Sequence, residues 1–454
     1  MTSAHEYAKE NFAKARQQLD ELIRIPSIST TPERAGDVRR AAEWLADDLR
    51  RAGMTKVELV PTEGHPIVYA EWLNAGPNAK TVLVYGHYDV QPAVREDGWS
   101  SEPFEPVERE GRIYARGASD DKGQVFAHVK AAEALLQTGG SPVNLKFIIE
   151  GEEESGSVHL ENFIKSNLAQ LEADVCVISD GGMPTIDQPA IVYALRGLVT
   201  MELEVFGPAQ DLHSGSYGGS VHNPAQALVE ILAALHNPDG SVAVPGFYDT
   251  VLPLEETERV ELRKAALSEE AWRAATGAPQ PWGEADYALH ERTGARPTLE
   301  VNGLSGGFAG VGFKTVLPAK AMAKISCRIV ANQEPQHIYH LVWDYIAKLT
   351  PPTVRSELRL LSGGRPAFVD LNTPAMNAAI IAYEKGWGKR PVFMREGGSI
   401  PVVADFQSLL GLPVILMGFG LNDDGAHGPN EHFSVEMFRR GIDTAIYFYE
   451  ETAK

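Results

Sequence analysis

The sequence predicts an α/β protein in which a mainly parallel sheet, with helices on both faces, is interrupted by a smaller α+β domain. Three observations carry that prediction. Strand and helix signals alternate through the first 195 residues, as in parallel strands joined by helical crossovers. From about Arg196 the texture changes to longer strands and a polar, Pro-interrupted stretch. After about residue 365 the earlier alternation returns, so the first fold is completed by a second segment of chain.

Taken in order, apolar residues at helical spacing over 38–52 stop at Gly53, and short runs at 57–60, 67–72 and 81–85 read as strands. Residues 124–138 predict a helix ended by Gly139-Gly140, 143–149 a strand, 158–167 a helix and 174–178 a strand. The middle part opens with a strand at 198–206 and a helix at 224–236. A polar stretch follows, about 238–296, with one charged helix near 255–275. Strands near 298–301 and 321–330, a helix at 336–349 and a strand at 356–361 complete a small α+β domain. The last segment predicts helices at 374–385 and 401–410, a strand at 413–417 and a closing helix at 435–451. The domain boundaries that follow are 1–195, 196–365 and 366–454.

Lys plus Arg is 41 and Asp plus Glu is 61, a formal charge of −20 that repels phosphate backbones and argues against a nucleic-acid partner. No apolar run approaches the roughly 18 residues of a membrane span. The polar first twenty residues lack the apolar core of a signal peptide, so a cytoplasmic location is expected. Cys176 and Cys327 lie in apolar, strand-like runs and are expected to be buried thiols. Without a C-x-x-C pair, any metal must be held by His and carboxylate.

Hard ligands of that kind gather at the ends of the predicted strands. His87 and Asp89 follow the run at 81–85, and Asp120-Asp121 sits in a Gly-flanked loop before a helix. Glu152-Glu153-Glu154 follows the strand at 143–149, Asp180 ends the run at 175–179, and His427 lies in a Gly/Pro-rich loop. In open α/β sheets, ligands collect outside the carboxyl ends of the strands, so four clusters there point to one metal-dependent hydrolytic site. Each has a plainer reading: a strand-end turn for His87, an N-cap for the Asp pair, and first-turn acids for the Glu triplet. Adjacent glutamates allow one to ligate while its neighbour takes a proton, and spacing does not say which does which. His432 is as good a candidate as His427, and His213 lies in a flexible loop of the second domain.

Several motifs together resemble the M20 family of metallopeptidases, in particular its nonspecific dipeptidase and carnosinase branch. They are Gly86-His87-Tyr88-Asp89-Val90-Gln91-Pro92, Asp120-Asp121-Lys122-Gly123, Glu150-Gly151-Glu152-Glu153-Glu154-Ser155-Gly156-Ser157, Asp211-Leu212-His213-Ser214-Gly215, Gly310-Val311-Gly312-Phe313-Lys314-Thr315 and Arg395-Glu396-Gly397-Gly398-Ser399-Ile400-Pro401. The resemblance implies that His87 and Asp180 bind one divalent ion and Glu154 and His427 another. It implies that Asp120 bridges the two, joined to Asp121 by a cis peptide. Glu153 would be the general base, with Asp89 orienting His87. His213 would serve a neighbouring subunit's site, while Thr315, Arg328 and Ser399 would bind substrate, Arg328 at a terminal carboxylate. The inserted domain would be a lid and dimerisation domain of a homodimer. Zn is the expected metal, with Mn or Co as alternatives.

The expected reaction is hydrolysis of dipeptides or short peptides, and the runner-up is removal of an acyl group from N-acyl amino acids. Gly303-Leu304-Ser305-Gly306-Gly307 fits a G-x-S-x-G nucleophile elbow in letters. That motif needs a strand–turn–helix context, and a Gly-rich, loop-like stretch follows it here. A binding protein that kept the fold and lost its chemistry is disfavoured by the full ligand set.

Overall fold

The computed structural model describes residues 2–398 and 400–454. The chain divides into two units, Met1–Tyr193 with Val369–Met394 and Val402–Lys454, and Ala194–Phe368 with Arg395–Pro401. The first is built on a sheet whose strands run in the order Lys56–Val60, Ile67–Trp72, Asn144–Glu150, Thr81–His87, Val175–Ile178, Val414–Leu416, Ala190–Leu195. The middle four are mutually parallel. The strands outside them pair antiparallel on either flank. The parallel centre is nearly all apolar and buried, as strands covered on both faces must be. Its carboxyl ends open on a single edge of the sheet.

The helix Ala35–Ala52 buries Val38, Ala41, Ala42, Leu45, Leu49 and Ala52 at helical spacing. It ends at Gly53, whose φ of +110° is cheap only without a Cβ. The helix Lys122–Gln137 differs in being buried on all sides from Lys122 to Leu135. Its polar side chains are therefore matched individually: Lys122 Nζ donates to the carbonyls of Leu22 and Ile25 at 3.2 and 2.7 Å. Lys130 Nζ reaches Asp48 and Glu133, both at 2.7 Å. Cys176 is buried and free.

The second unit is a four-stranded antiparallel sheet, in the order Thr298–Gly306, Lys320–Ile329, Gly197–Phe206, Arg355–Gly364. Strict alternation along Lys320–Ile329 buries Ala321, Ala323, Ile325, Cys327 and Ile329 on one face. The helices Pro224–Ala233 and Pro335–Leu349 cover that face with Leu228, Ile231, Ile338, Val342 and Ile346. Cys327, in this core, is also free.

Some elements differ from expectation. The charged helix near 255–275 is two helices, Glu256–Lys264 and Glu269–Thr276, because Ser268 accepts the Ala271 N–H and starts the second. The strand expected at 298–301 runs on to Gly306, so Ser305 sits in an extended edge strand followed by irregular chain, not in a nucleophile elbow. Residues 401–410 begin as the α-helix Pro401–Asp405 and widen into a π-helical turn, Phe406–Leu410. The strand Ala190–Leu195 and the helices Ala4–Glu10 and Phe12–Ile23 were not expected. Among the described residues no helix is long and apolar enough to cross a membrane.

Candidate metal centre

His87 ends the strand Thr81–His87, where its side chain is completely buried. Its Nδ1 lies 3.0 Å from the Asp89 carbonyl, which can only accept, so that nitrogen carries the proton and Nε2 is left facing Asp120. The Asp89 carboxylate lies 3.4 Å from the same nitrogen. Its two oxygens accept the backbone N–H groups of Glu153 and Glu154 at 3.2 and 3.1 Å. Asp89 thus shapes the Glu153–Ser155 turn while its main chain aims the His87 ring.

Asp120 and Asp121 are joined by a cis peptide, and Asp121 occupies the N-cap position of the next helix without capping it. Its Oδ2 accepts the His87 N–H at 3.1 Å, while Oδ1 is a buried acceptor without a partner among the described residues. Gly86 makes that approach possible, since a Cβ there would lie 2.6 Å from Asp121 Oδ2.

Asp120 stands between two imidazoles. Its Oδ1 is 3.1 Å from His87 Nε2 and its Oδ2 is 2.9 Å from His427 Nε2. Asp180 Oδ2 lies 3.8 Å from His87 Nε2, and Glu154 Oε2 lies 3.3 Å from His427 Nε2. Two groups that could each hold a metal ion result, His87–Asp120–Asp180 and Asp120–Glu154–His427, with Asp120 common to both. His432 joins neither: its Nδ1 faces the Asn430 carbonyl at 2.9 Å and its Nε2 accepts from Arg112 at 2.6 Å.

The acids perturb one another. Burial pushes Glu153 up to about 8, with Asp180, Glu154 and Asp120 adding to the rise. Burial and Asp120 take Asp180 to about 7. His427 is pushed up to about 10 by its contacts with Asp120 and Glu154. Burial opposes ionisation of Asp120, yet His427 and His87 hold it below the usual carboxylate range. A pocket this rich in carboxylate, in which imidazoles retain protons, is one where divalent cations would displace those protons. The hard oxygen and imidazole donors fit Zn, Mn or Co.

Other contributors were given no individual role from the sequence. Gln91 Nε2 donates to Glu154 Oε2 at 2.7 Å, and buried Glu152 meets His159 Nδ1 at 2.8 Å. Glu431 and Arg116 hold the loops that carry Asp120 and His427. No periodicity marks such residues, because their partners are set by contacts that exist only in the folded chain.

In the second unit, His213 is exposed and pairs through a short ladder with Val316, so that Ser214 N–H donates to the Thr315 carbonyl at 3.1 Å. Arg328 lines a cavity of about 360 Å³ with Arg196, His236, Ser326 and Asn302. Ser399 lies outside the described residues.

A family model described as "Peptidase family M20/M25/M40" matches residues 83–451. The chain is similar to the Cys-Gly metallodipeptidase DUG1 of Candida albicans, at 35% identity over 94% of this chain and 92% of that protein. It is also similar to the human Beta-Ala-His dipeptidase, at 32% identity over 96% of this chain and 90% of that one. Among solved structures, an M20 family metallo-carboxypeptidase, Sso-CP2 from Sulfolobus solfataricus, superposes with a TM-score of 0.86 at 33% identity, covering 97% of this chain and 99% of that chain.

Proposed function

The chain belongs to peptidase family M20/M25/M40, and from that premise we propose that it is a two-metal dipeptidase that uses Glu153 as general base. The observation that carries the metal reading is Asp120, whose two oxygens each face a different imidazole. His87 and Asp180 would hold one ion, Glu154 and His427 the other, and Asp120 would bridge them. When bound, the ions supply Lewis acidity that makes water a nucleophile near neutral pH and offsets charge on the substrate carbonyl oxygen.

The remaining steps belong to the chain's own side chains. A Glu153 carboxylate oxygen takes a proton from the attacking water as its oxygen bonds to the carbonyl carbon. When the C–N bond breaks, the same carboxyl returns that proton to the leaving amine nitrogen. Asp89 fixes the turn on which Glu153 sits, through the N–H groups of Glu153 and Glu154.

The second unit would supply His213 to the developing oxyanion of a neighbouring subunit's site, and Thr315, Arg328 and Ser399 to the substrate. Arg328 has the fork geometry for a peptide's terminal carboxylate. The strand Thr298–Gly306 supports a homodimer, since it forms one edge of its sheet and exposes Val301 and Leu304.

Relatives named as dipeptidases support short peptides as substrates, and the carboxypeptidase neighbour makes peptide length the variable to test. The deciding experiment is metal analysis beside an activity screen over dipeptides, longer peptides and N-acyl amino acids. Two ions per chain and a preference for dipeptides are expected. Active protein free of bound ions, or activity confined to acylated amino acids, would overturn the reading.

A further inference from the structure

Glu431 is a completely buried carboxylate, and Arg116, beside it, is almost as inaccessible. Oε1 of Glu431 accepts the backbone N–H groups of Ser119 and Asp120 at 3.0 and 3.1 Å. Oε2 accepts Gly117 N–H at 3.1 Å and Arg116 Nη1 at 2.6 Å. Four donors converge on it, two at each oxygen. The main chain of Glu431 adds a fifth link, its carbonyl accepting from Ala115 N–H at 3.0 Å. The segment 115–120 is wrapped around this one side chain.

The other arm of Arg116 turns to the His427 loop, where Nη2 donates to the carbonyls of His427 and Gly428 at 3.0 and 3.3 Å. His427 has a φ of +63°, a left-handed conformation that a β-carbon disfavours and that surrounding contacts must maintain. Asn430, with a φ of +61°, is held in turn by Ser100, whose N–H and hydroxyl both donate to its Oδ1. Among the described residues, neither Glu431 nor Arg116 hydrogen-bonds a side-chain atom of the candidate ligand set. Both act on the backbone that carries those atoms, and they join two segments more than 300 residues apart in sequence.

We propose that Glu431 and Arg116 form a positioning clamp that sets the spacing between Asp120 and His427 and thereby the affinity of the centre for its ions. The inference rests on the two-metal reading above and extends it to residues outside the ligand set. Glu431→Gln would replace one acceptor oxygen by an amide that faces Gly117 N–H and Arg116 as a competing donor. Arg116→Lys would keep the charge next to Glu431 but lose the fork that also reaches the His427 carbonyl.

The test is calorimetric titration of Mn²⁺ into the full-length chain after chelator treatment, with far-UV circular dichroism to verify folding. Both variants are expected to fold and to bind Mn²⁺ at one or both sites at least about tenfold more weakly than wild type. Turnover is expected to recover towards wild type at saturating Mn²⁺, which a loss of catalytic chemistry would not allow. Should Glu431→Gln fail to fold, Arg116→Lys decides alone. A folded Arg116→Lys chain that binds both ions with wild-type affinity overturns the clamp. A wild-type chain that binds neither Mn²⁺ nor Zn²⁺ overturns the two-metal reading itself.

Discussion

Replacing Glu153 by Gln keeps the length of the side chain and removes its ability to accept a proton. Glu153→Gln is expected to retain its metal ions and lose turnover by roughly 10²- to 10⁴-fold. Metal content and kcat measured on the same preparation check this, and normal turnover would refute the general-base role. A different residue carries a pH prediction. His128 is fully buried; its Nε2 lies 2.7 Å from Ser179 Oγ and its Nδ1 2.8 Å from the Tyr449 hydroxyl. Ser179 spends its own proton on the Met417 carbonyl at 2.6 Å, so Nε2 must donate to Ser179. Burial lowers the ring's pKa from 6.5 to about 3, so near neutral pH it is uncharged and its Nδ1 accepts from the Tyr449 hydroxyl. Between those values the unfolded chain binds the extra proton, so stability is full above pH 6.5 and falls as the pH drops towards 3. By pH 5 this one group should cost roughly 2 kcal/mol. Urea unfolding of wild type and His128→Gln at pH 7 and pH 5 checks it: the variant should lose less on acidification by about that amount.

The helix Lys122–Gln137 shows how an element can position chemistry through the space it denies. A Cβ at Gly123 would lie 2.0 Å from the Ala118 carbonyl oxygen and 2.7 Å from Phe433 Cδ1, so helix and loop can meet only at glycine. Gly123→Ala is expected to destabilise the fold by about 1–3 kcal/mol, as overpacking does. Because relief of the clash must move the 116–120 loop, the same variant is expected to lose bound metal. Thermal unfolding with metal analysis tests both, and a variant of normal stability and full metal content would show that the contact yields easily. The parallel strands work at the same scale. Three of the candidate ligand segments follow the ends of Thr81–His87, Asn144–Glu150 and Val175–Ile178, and parallel pairing brings those ends to one edge.

For the whole molecule, the proposed dimer has a quantitative consequence. If His213 completes the site of its partner, an inactive Glu153→Gln chain and an inactive His213→Ala chain should complement each other. Each mixed dimer then holds one intact site, so co-expression should restore roughly a quarter of wild-type activity under random pairing. No recovery would remove His213 from the partner's chemistry. Light scattering should report a dimer for wild type, and Leu304→Asp, on the exposed edge strand, should shift it towards monomer with loss of activity. A fully active monomer would overturn the dimer requirement.

The local features could be read from the chain: apolar runs that end in His and carboxylate, Gly53 at a helix end, and alternation along 321–330. Periodicity and turn chemistry act between near neighbours, so they leave a trace in the order of residues. Where the trace was faint, elements were missed. The buried run Ala190–Leu195 has no alternation to mark it as a strand, and the Ser3–Glu6 capping box was the unused signal for the first helix. Spacing near the chain's end does not distinguish His427 from His432; the family resemblance favoured His427, and the tertiary structure shows its ring meeting Asp120. It alone brought Arg116 to Glu431, across 315 positions. Coordination depends on distances between segments remote in sequence, and those distances exist only once the sheet has set its order and the loops have closed on one edge.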